Sequence, residues 1–170
     1  MRTAILAILL TACSHAPAED SPLFGAARGG DAAAVTRLLR AGADPNLHGG
    51  VNDWPVLMHA VHKHQLGTAK ALLDGGANPN AANPNGYTPL MMAAGYGDTG
   101  MVRLLVARGA NVRLADRLGA TALDYARDGV SDIDDFTLFR CQDDAARALL
   151  AADPAQPRGR SWWARVKRCA

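Results

Sequence analysis

The sequence predicts an all-α solenoid of about four helix-turn-helix units, each with a projecting β-turn finger. Two observations favour this class over a sheet sandwich. First, a Gly-Ala motif followed by Asp or Asn recurs at residues 42–46, 76–80 and 109–113, at spacings of 34 and 33 residues. A period of that length is typical of stacked helical repeats. Second, 49% of the 170 residues are hydrophobic but only 5% are aromatic, so the core must consist mainly of small and aliphatic side chains.

The third unit shows the signals for two helices most clearly. Thr88 predicts an N-cap, because its hydroxyl can accept from an unpaired backbone N–H. Pro89 suits the first helical position, where its missing N–H is not needed. Gly97 then ends the first helix, and Gly109 can end the second in a left-handed turn. In each of the first three units a repeated Ala, at 26, 60 or 93, precedes a Leu-rich pair by 12 residues.

The fourth unit departs from this spacing. It opens with a partial copy at 121–126, where Thr121 is again an N-cap candidate through its hydroxyl acceptor. The step from Ala126 to Leu149 is 23 residues instead of 12, which predicts an insertion at about 129–140. We expect the second helix of this unit at about 141–152.

The motif at residues 88–93, Thr-Pro-Leu-Met-Met-Ala, closely matches the Thr-Pro-Leu-His-x-Ala motif of ankyrin repeats. The sequence resembles that family over residues 20–152, although the first copy is degraded and the second carries an extra residue between Asn46 and Ala60. The resemblance implies units at about 20–46, 47–80, 81–113 and 114–152. Because no single unit can bury its apolar face, stacking four of them gives one continuous core.

The N-terminus predicts an export signal. Residues 4–10 form an apolar run that is too short to span about 30 Å of hydrocarbon as a helix, so it is interpreted as cleavable. Leu-Thr-Ala-Cys at 10–13 resembles the lipobox of bacterial lipoproteins, which implies a signal peptide at 1–12, a lipid on Cys13 and a tether at 13–19. We therefore expect a periplasmic protein anchored to the membrane, with the outer membrane favoured by Ser14. The alternative is cleavage after Ala16, which would remove Cys13.

A histidine cluster raises the question of a metal site. His59 and His62 stand three residues apart on one predicted helix, with His48 as a conceivable third ligand. The resemblance implies a different role, in which His62 and Lys63 face the ankyrin groove. It also puts His64 at the turn position that glycine holds in the first and third units. We favour this second interpretation and expect no cofactor.

Two segments near the C-terminus leave alternatives open. Cys141 and Cys169 are a candidate disulfide, since an exported protein meets oxidising conditions; two unpaired thiols are the alternative. Residues 153–170 form a basic tail that contains Trp162 and Trp163. With five basic residues and one acidic residue the tail carries +4, whereas residues 20–152, with 12 basic and 14 acidic, carry −2. A membrane-surface segment, a cap over the last repeat and a disordered end all fit the tail.

The function expected from these features is protein binding. The sequence has no Gly-rich phosphate loop, nucleophile elbow or zinc-protease motif, so we do not expect an enzyme. A net charge of +2 is too small to indicate nucleic acid binding. Ankyrin domains use the finger tips and the exposed side of the first helices to grip protein partners. The matching positions in this sequence are Asn52, Trp54, His62, Lys63, Asn85, Tyr87, Tyr96, Arg117 and Leu118.

Two alternative hypotheses accompany this one. The protein could be an immunity-type inhibitor of a toxin, or a metal- or ligand-binding envelope protein that uses the cluster of His59 and His62. Large exposed aromatic side chains are the usual anchors of an interface, which favours a protein partner. The alternative role for Trp54 is packing between adjacent fingers, where it would contribute only stability.

Overall fold

The computed structural model describes residues 21–50, 52–128 and 143–155, and within them it confirms the predicted all-α solenoid. Cys13, Cys141, Cys169, the predicted insertion and the tryptophan pair of the tail lie outside the described residues. The elements, in chain order, are α1 (Pro22–Gly29), α2 (Ala32–Arg40), β1 (His48–Gly49), β2 (Trp54–Pro55), α3 (Val56–His62), α4 (Leu66–Asp74), α5 (Pro89–Gly95), α6 (Thr99–Ala107), α7 (Ala122–Asp128) and α8 (Asp143–Ala152).

The helices form two layers. The first helices of the four units, α1, α3, α5 and α7, pack in sequence against one another, and the second helices α2, α4, α6 and α8 form the other layer. The repeated alanine of each unit lies in the first layer, and Ala60, Ala93 and Ala126 are fully buried. Small side chains at this position allow neighbouring helices to approach closely. All seven residues of α5 are buried, because α3, α6 and α7 surround that helix.

The helix ends follow the sequence signals. The hydroxyl of Thr88 accepts from Met91 N at 3.3 Å, as predicted. At the start of α7, Thr121 occupies the predicted N-cap position directly before Ala122; its hydroxyl donates to the carboxylate of Asp124 at 2.7 Å, and its backbone N–H donates to the same oxygen at 2.8 Å. A carboxylate three residues into a helix can reach back to the cap residue, so Asp124 takes the acceptor role.

Three fingers connect the units, at residues 41–55, 75–88 and 108–121. Asparagine side chains join them: Asn46 Oδ1 accepts from Asn78 N at 2.8 Å, and Asn80 Oδ1 accepts from Asn111 N at 2.7 Å. In the third finger Arg113 holds the equivalent position, and its guanidinium pairs with the carboxylate of Asp153, the residue that follows α8. The first finger contains the hairpin β1–β2, in which residue 49 pairs with residue 54. The asparagine and arginine contacts therefore tie the fingers and α8 together close to the ends of the second helices.

Two further features concern one turn and the helices as a set. His64 has a φ of 55°, close to that of Gly97 at 70°, which confirms that it occupies the left-handed turn position. Across the described parts of the chain, every helix is too short or too polar to cross a membrane.

Candidate protein-binding groove

A groove of about 630 Å³ lies between the fingers and the first helices α5 and α7. Its volume falls within the range of about 300–1,000 Å³ that is usual for clefts that bind small molecules and cofactors. The fingers supply most of its walls, and the end of α5 and the face of α7 supply the rest. Seven of the nine residues predicted from sequence line it: Asn52, Trp54, Asn85, Tyr87, Tyr96, Arg117 and Leu118. Stacking of the units therefore gathers positions that are far apart in the chain.

Trp54 forms one wall and is half-buried. It belongs to β2 in the first finger, and its ring centroid lies 5.4 Å from that of His62 and 5.5 Å from that of His59. The indole thus rests on the histidines of α3 while it also lines the groove. Packing on α3 supports the ring, so its position in the groove does not depend on a partner.

Tyr96 caps the C-terminal end of α5 and is held by two histidines. Its hydroxyl is hydrogen-bonded to His62 Nδ1 at 2.7 Å, and the ring of His64 lies 5.1 Å away. His64 Nδ1 lies 3.2 Å from a carboxylate oxygen of Asp98. His62 therefore acts on the groove through Tyr96, whereas Lys63 is exposed and lies outside the groove lining.

A pair of tyrosines forms the opposite wall. The rings of Tyr87 and Tyr125 meet edge to face, with centroids 5.0 Å apart. Tyr125 Oη donates to Asp116 Oδ2 at 2.7 Å. Burial, followed by this hydrogen bond, raises the pKa of Tyr125 well above its usual value, so the phenol stays protonated and donates. Asp116 Oδ1 accepts from the backbone N–H groups of residues 118 and 120, each at 2.9 Å, which shapes the third finger.

Sequence reasoning missed four residues of the lining, namely Asn83, Met92, Asp116 and Tyr125. Two of them could have been found from the repeat register. Met92 and Tyr125 hold the same position in their units, immediately before the repeated alanine, and both face the groove. Asn83 and Asp116 also correspond, and the side chain of each accepts from backbone N–H groups within its own finger.

His59 holds the position of Met92 and Tyr125 in the second unit, but it lies deeper. Its ring centroid is 5.3 Å from that of Phe24, and its Nε2 is buried with no hydrogen-bond partner in the structure. Burial, followed by the charge of Arg28, lowers the pKa of His59 from 6.5 to about 4. Within residues 21–50, 52–128 and 143–155, no group of three or more His, Cys, Asp or Glu side chains is placed to hold a metal ion. His59 and His62 therefore lack a third ligand in that part of the chain.

Comparison with known families agrees with this geometry. The family model for ankyrin repeats matches three overlapping stretches, residues 3–83, 23–116 and 57–156. The chain belongs to the ankyrin-repeat family. Ankyrin repeats generally mediate protein–protein interaction, and proteins made mostly of these repeats are typically interaction modules without enzymatic activity.

Similar curated proteins come from distant organisms. The ankyrin-repeat chain is 35% identical to an ankyrin repeat-containing protein of Treponema pallidum over 111 residues, which is 65% of this chain and 37% of that protein. It is 45% identical to an ankyrin repeat-containing protein of Schizosaccharomyces pombe over 51 residues, 30% of this chain and 25% of the other. An ankyrin repeat and KH domain-containing protein of Caenorhabditis elegans is 30% identical over 82% of this chain and 6% of its own length. The chain thus spans little more than a third of these relatives, or less.

Proposed function

We propose that this ankyrin-repeat chain is a non-enzymatic protein-binding module of the bacterial envelope, and that it grips its partner in the groove. The observation that carries the proposal is the groove itself, in which four aromatic rings line one cleft: Trp54, Tyr87, Tyr96 and Tyr125. Large aromatic side chains dominate the binding energy of most interfaces, because they bury much area at little entropic cost.

The way the rings are held supports this role. Tyr96 is fixed by His62, Tyr125 by Asp116, and Trp54 rests on α3. Side chains that are ordered before a partner arrives lose less conformational freedom on binding. A groove whose side chains are already held in place is suited to a partner surface of matching shape.

The proposed location rests on the N-terminal sequence. The lipobox-like Leu-Thr-Ala-Cys at 10–13 supports attachment of a lipid at Cys13. Only a short tether would then separate that lipid from Pro22, where α1 begins. The domain would be held close to a membrane surface in the periplasm, with the outer membrane favoured, and its partner would be a protein of the same compartment.

The test compares alanine variants of groove residues with variants of exposed arginines on the second helices. The partner is captured from envelope extract with the parent protein, and affinities are then measured by titration calorimetry. Trp54→Ala, Tyr87→Ala and Tyr96→Ala should each weaken binding by about 2 kcal/mol, roughly thirtyfold. Arg37→Ala and Arg103→Ala should bind like the parent, since both side chains lie exposed on the other helical layer.

A matched pair separates contact from support. Tyr96→Phe keeps the ring but removes its hydrogen bond to His62, so it should bind more tightly than Tyr96→Ala. Circular dichroism must show that every variant is folded, because Trp54→Ala could loosen the first finger. If all aromatic variants are folded and bind like the parent while an arginine variant fails, the groove is not the binding surface.

A further inference from the structure

The lining of the groove contains more aromatic rings than aliphatic side chains. Its aromatic rings come from two fingers, the end of α5 and the face of α7, and its aliphatic lining is limited to Met92 and Leu118. Grooves that receive an amphipathic helix need pockets at helical spacing for aliphatic anchors. Flat aromatic walls suit a different ligand, because they contact proline rings face to face and receive polyproline II segments.

Two amides at the finger tips point to the same ligand. The side chains of Asn52 and Asn85 line the groove, are exposed, and make no hydrogen bond to any other described residue. A helix satisfies its own backbone except at its ends, so along its length it could use such groups only through its side chains. A polyproline II segment has no internal hydrogen bonds, so its carbonyl groups need donors when they leave water. Asn52 and Asn85 can provide them from two adjacent fingers.

The positive charge of Arg117 in the third finger indicates which kind of side chain the ligand carries. Asp116 is already occupied by Tyr125 and by two backbone N–H groups. Its neighbour Arg117 is exposed, and its guanidinium has no ion-pair partner among the residues that the structure describes. Arg108, by contrast, is paired with Asp74 at 2.7 Å. Arg117 thus provides a positive charge at the groove for a carboxylate of the partner.

We infer that the groove binds an extended, proline-rich segment of the partner in the polyproline II conformation, with an acidic side chain of that segment against Arg117. The rings of Trp54, Tyr87, Tyr96 and Tyr125 contact the prolines, and Asn52 and Asn85 donate to their carbonyls. The inference rests on the proposed function and names the chemical class of the partner segment.

The test uses three acetylated, amidated heptapeptides with a fluorophore. The first is Pro-Pro-Pro-Glu-Pro-Pro-Pro, the second has Gln in place of Glu, and the third is Gly-Ser-Gly-Glu-Gly-Ser-Gly. Fluorescence anisotropy is followed up to about 1 mM of the full chain. The Glu-containing proline peptide should bind, the Gln peptide should bind about three- to tenfold more weakly, and the Gly-Ser peptide should not bind.

Variants of the protein test whether the Glu side chain of the peptide contacts Arg117. Arg117→Gln should weaken the Glu-containing proline peptide by the same factor and leave the Gln peptide unchanged. Arg103→Gln, a change of equal charge on α6, should alter neither. Equal binding of the proline and Gly-Ser peptides, or no binding of either, overturns the inference, as does an Arg117→Gln variant that behaves like the parent. If the peptides fail while a partner from envelope extract binds the parent and not Tyr87→Ala, only this inference falls and the proposed function stands.

Discussion

The imidazole of His59 lies beneath the first finger, between the rings of Phe24 and Trp54. Its pKa is lowered from 6.5 to about 4 by burial, then by the charge of Arg28, with a smaller effect of His62. Folding therefore favours the neutral ring. The stability that this provides is fully present above about pH 6.5, the unfolded value, and is lost as the pH falls towards 4.

His59→Phe should flatten the dependence of stability on pH in this range. The phenyl ring keeps an aromatic side chain between Phe24 and Trp54 but cannot take up a proton. Between pH 6.5 and 4 the parent should lose about 1–3 kcal/mol more free energy of unfolding than the variant, a range that allows for partial exposure of the ring. Urea denaturation at a series of pH values measures this difference.

The control for this experiment is His48→Gln, which removes an exposed histidine in the first finger and should leave the acid-dependent loss in place. The absolute stability of His59→Phe at pH 7 is not the readout, because the variant also loses a hydrogen bond that His59 makes with the backbone of Gly49. A parent and a His59→Phe variant with the same pH profile would show that His59 is not the group responsible.

Single residues also mark what the sequence could predict. The left-handed turn at His64 follows from its alignment with Gly30 and Gly97, because repeats impose the same backbone at the same position. The link between His62 and Tyr96 could not be predicted, since it depends on how far one helix end is displaced relative to the next. The bond from Thr121 to Asp124 could not be predicted, because it depends on the side-chain conformation of Asp124 in the first turn of α7.

At the level of elements, two glycines differ in whether their backbone conformation requires glycine. Gly25 lies within α1, and a Cβ added there would meet nothing within 4 Å. Gly109 follows α6 with a φ of 87°, and a Cβ added there would also meet nothing within 4 Å. The two sites therefore differ in backbone conformation and not in available space.

Gly25→Ala should raise the free energy of unfolding by about 0.5–1 kcal/mol, because alanine is the better helix former. Gly109→Ala should lower it by about 1 kcal/mol, because a left-handed conformation is strained for any residue with a Cβ. Thermal denaturation of both variants beside the parent gives the comparison. Shifts of the same sign would contradict the assignment of Gly109 as a turn that requires glycine.

Helices were easier to predict than fingers. Caps, prolines and turn glycines mark where α5 and α6 begin and end, and these signals are local. The finger bonds of Asn46 and Asn80 cross between units, so they could be recognised only once the stacking was known. The extra residue in the first finger was visible as a longer spacing, but its accommodation in the hairpin β1–β2 depends on backbone geometry at Asp53, where φ is 48°.

At the scale of the whole molecule, the groove exists only because the units stack. Asn52 and Leu118 are 66 residues apart in sequence, yet both line one cleft. The family resemblance predicted which positions would gather, since equivalent positions of stacked repeats align. The depth of the groove depends on Tyr125 and Asp116, and their contact is set by how α7 sits beneath the third finger. Such a contact cannot be deduced from a repeat pattern.

The proposed anchor can be tested on the whole protein. Cys13→Ser should abolish incorporation of labelled fatty acid and release the chain from the membrane fraction, because two or more acyl chains are needed for stable attachment. Cys141→Ser is the matched control and should remain lipidated. A Cys13→Ser variant that is still lipidated and sediments with membranes would contradict the lipobox interpretation.

The order of the units also determines how this fold responds to mechanical load. The groove is lined by residues 52–125, so the pair of helices α1 and α2 precedes it and contributes none of its lining. In a stacked array each unit is held only by its neighbours, and the array can therefore open from one end. A force applied at the N-terminal end would detach α1 and α2 before it disturbed Tyr87 or Tyr125. Detachment of the first unit would thus leave the contact between Tyr87 and Tyr125 in place, but it would uncover the Phe24 side of His59, on which Trp54 rests.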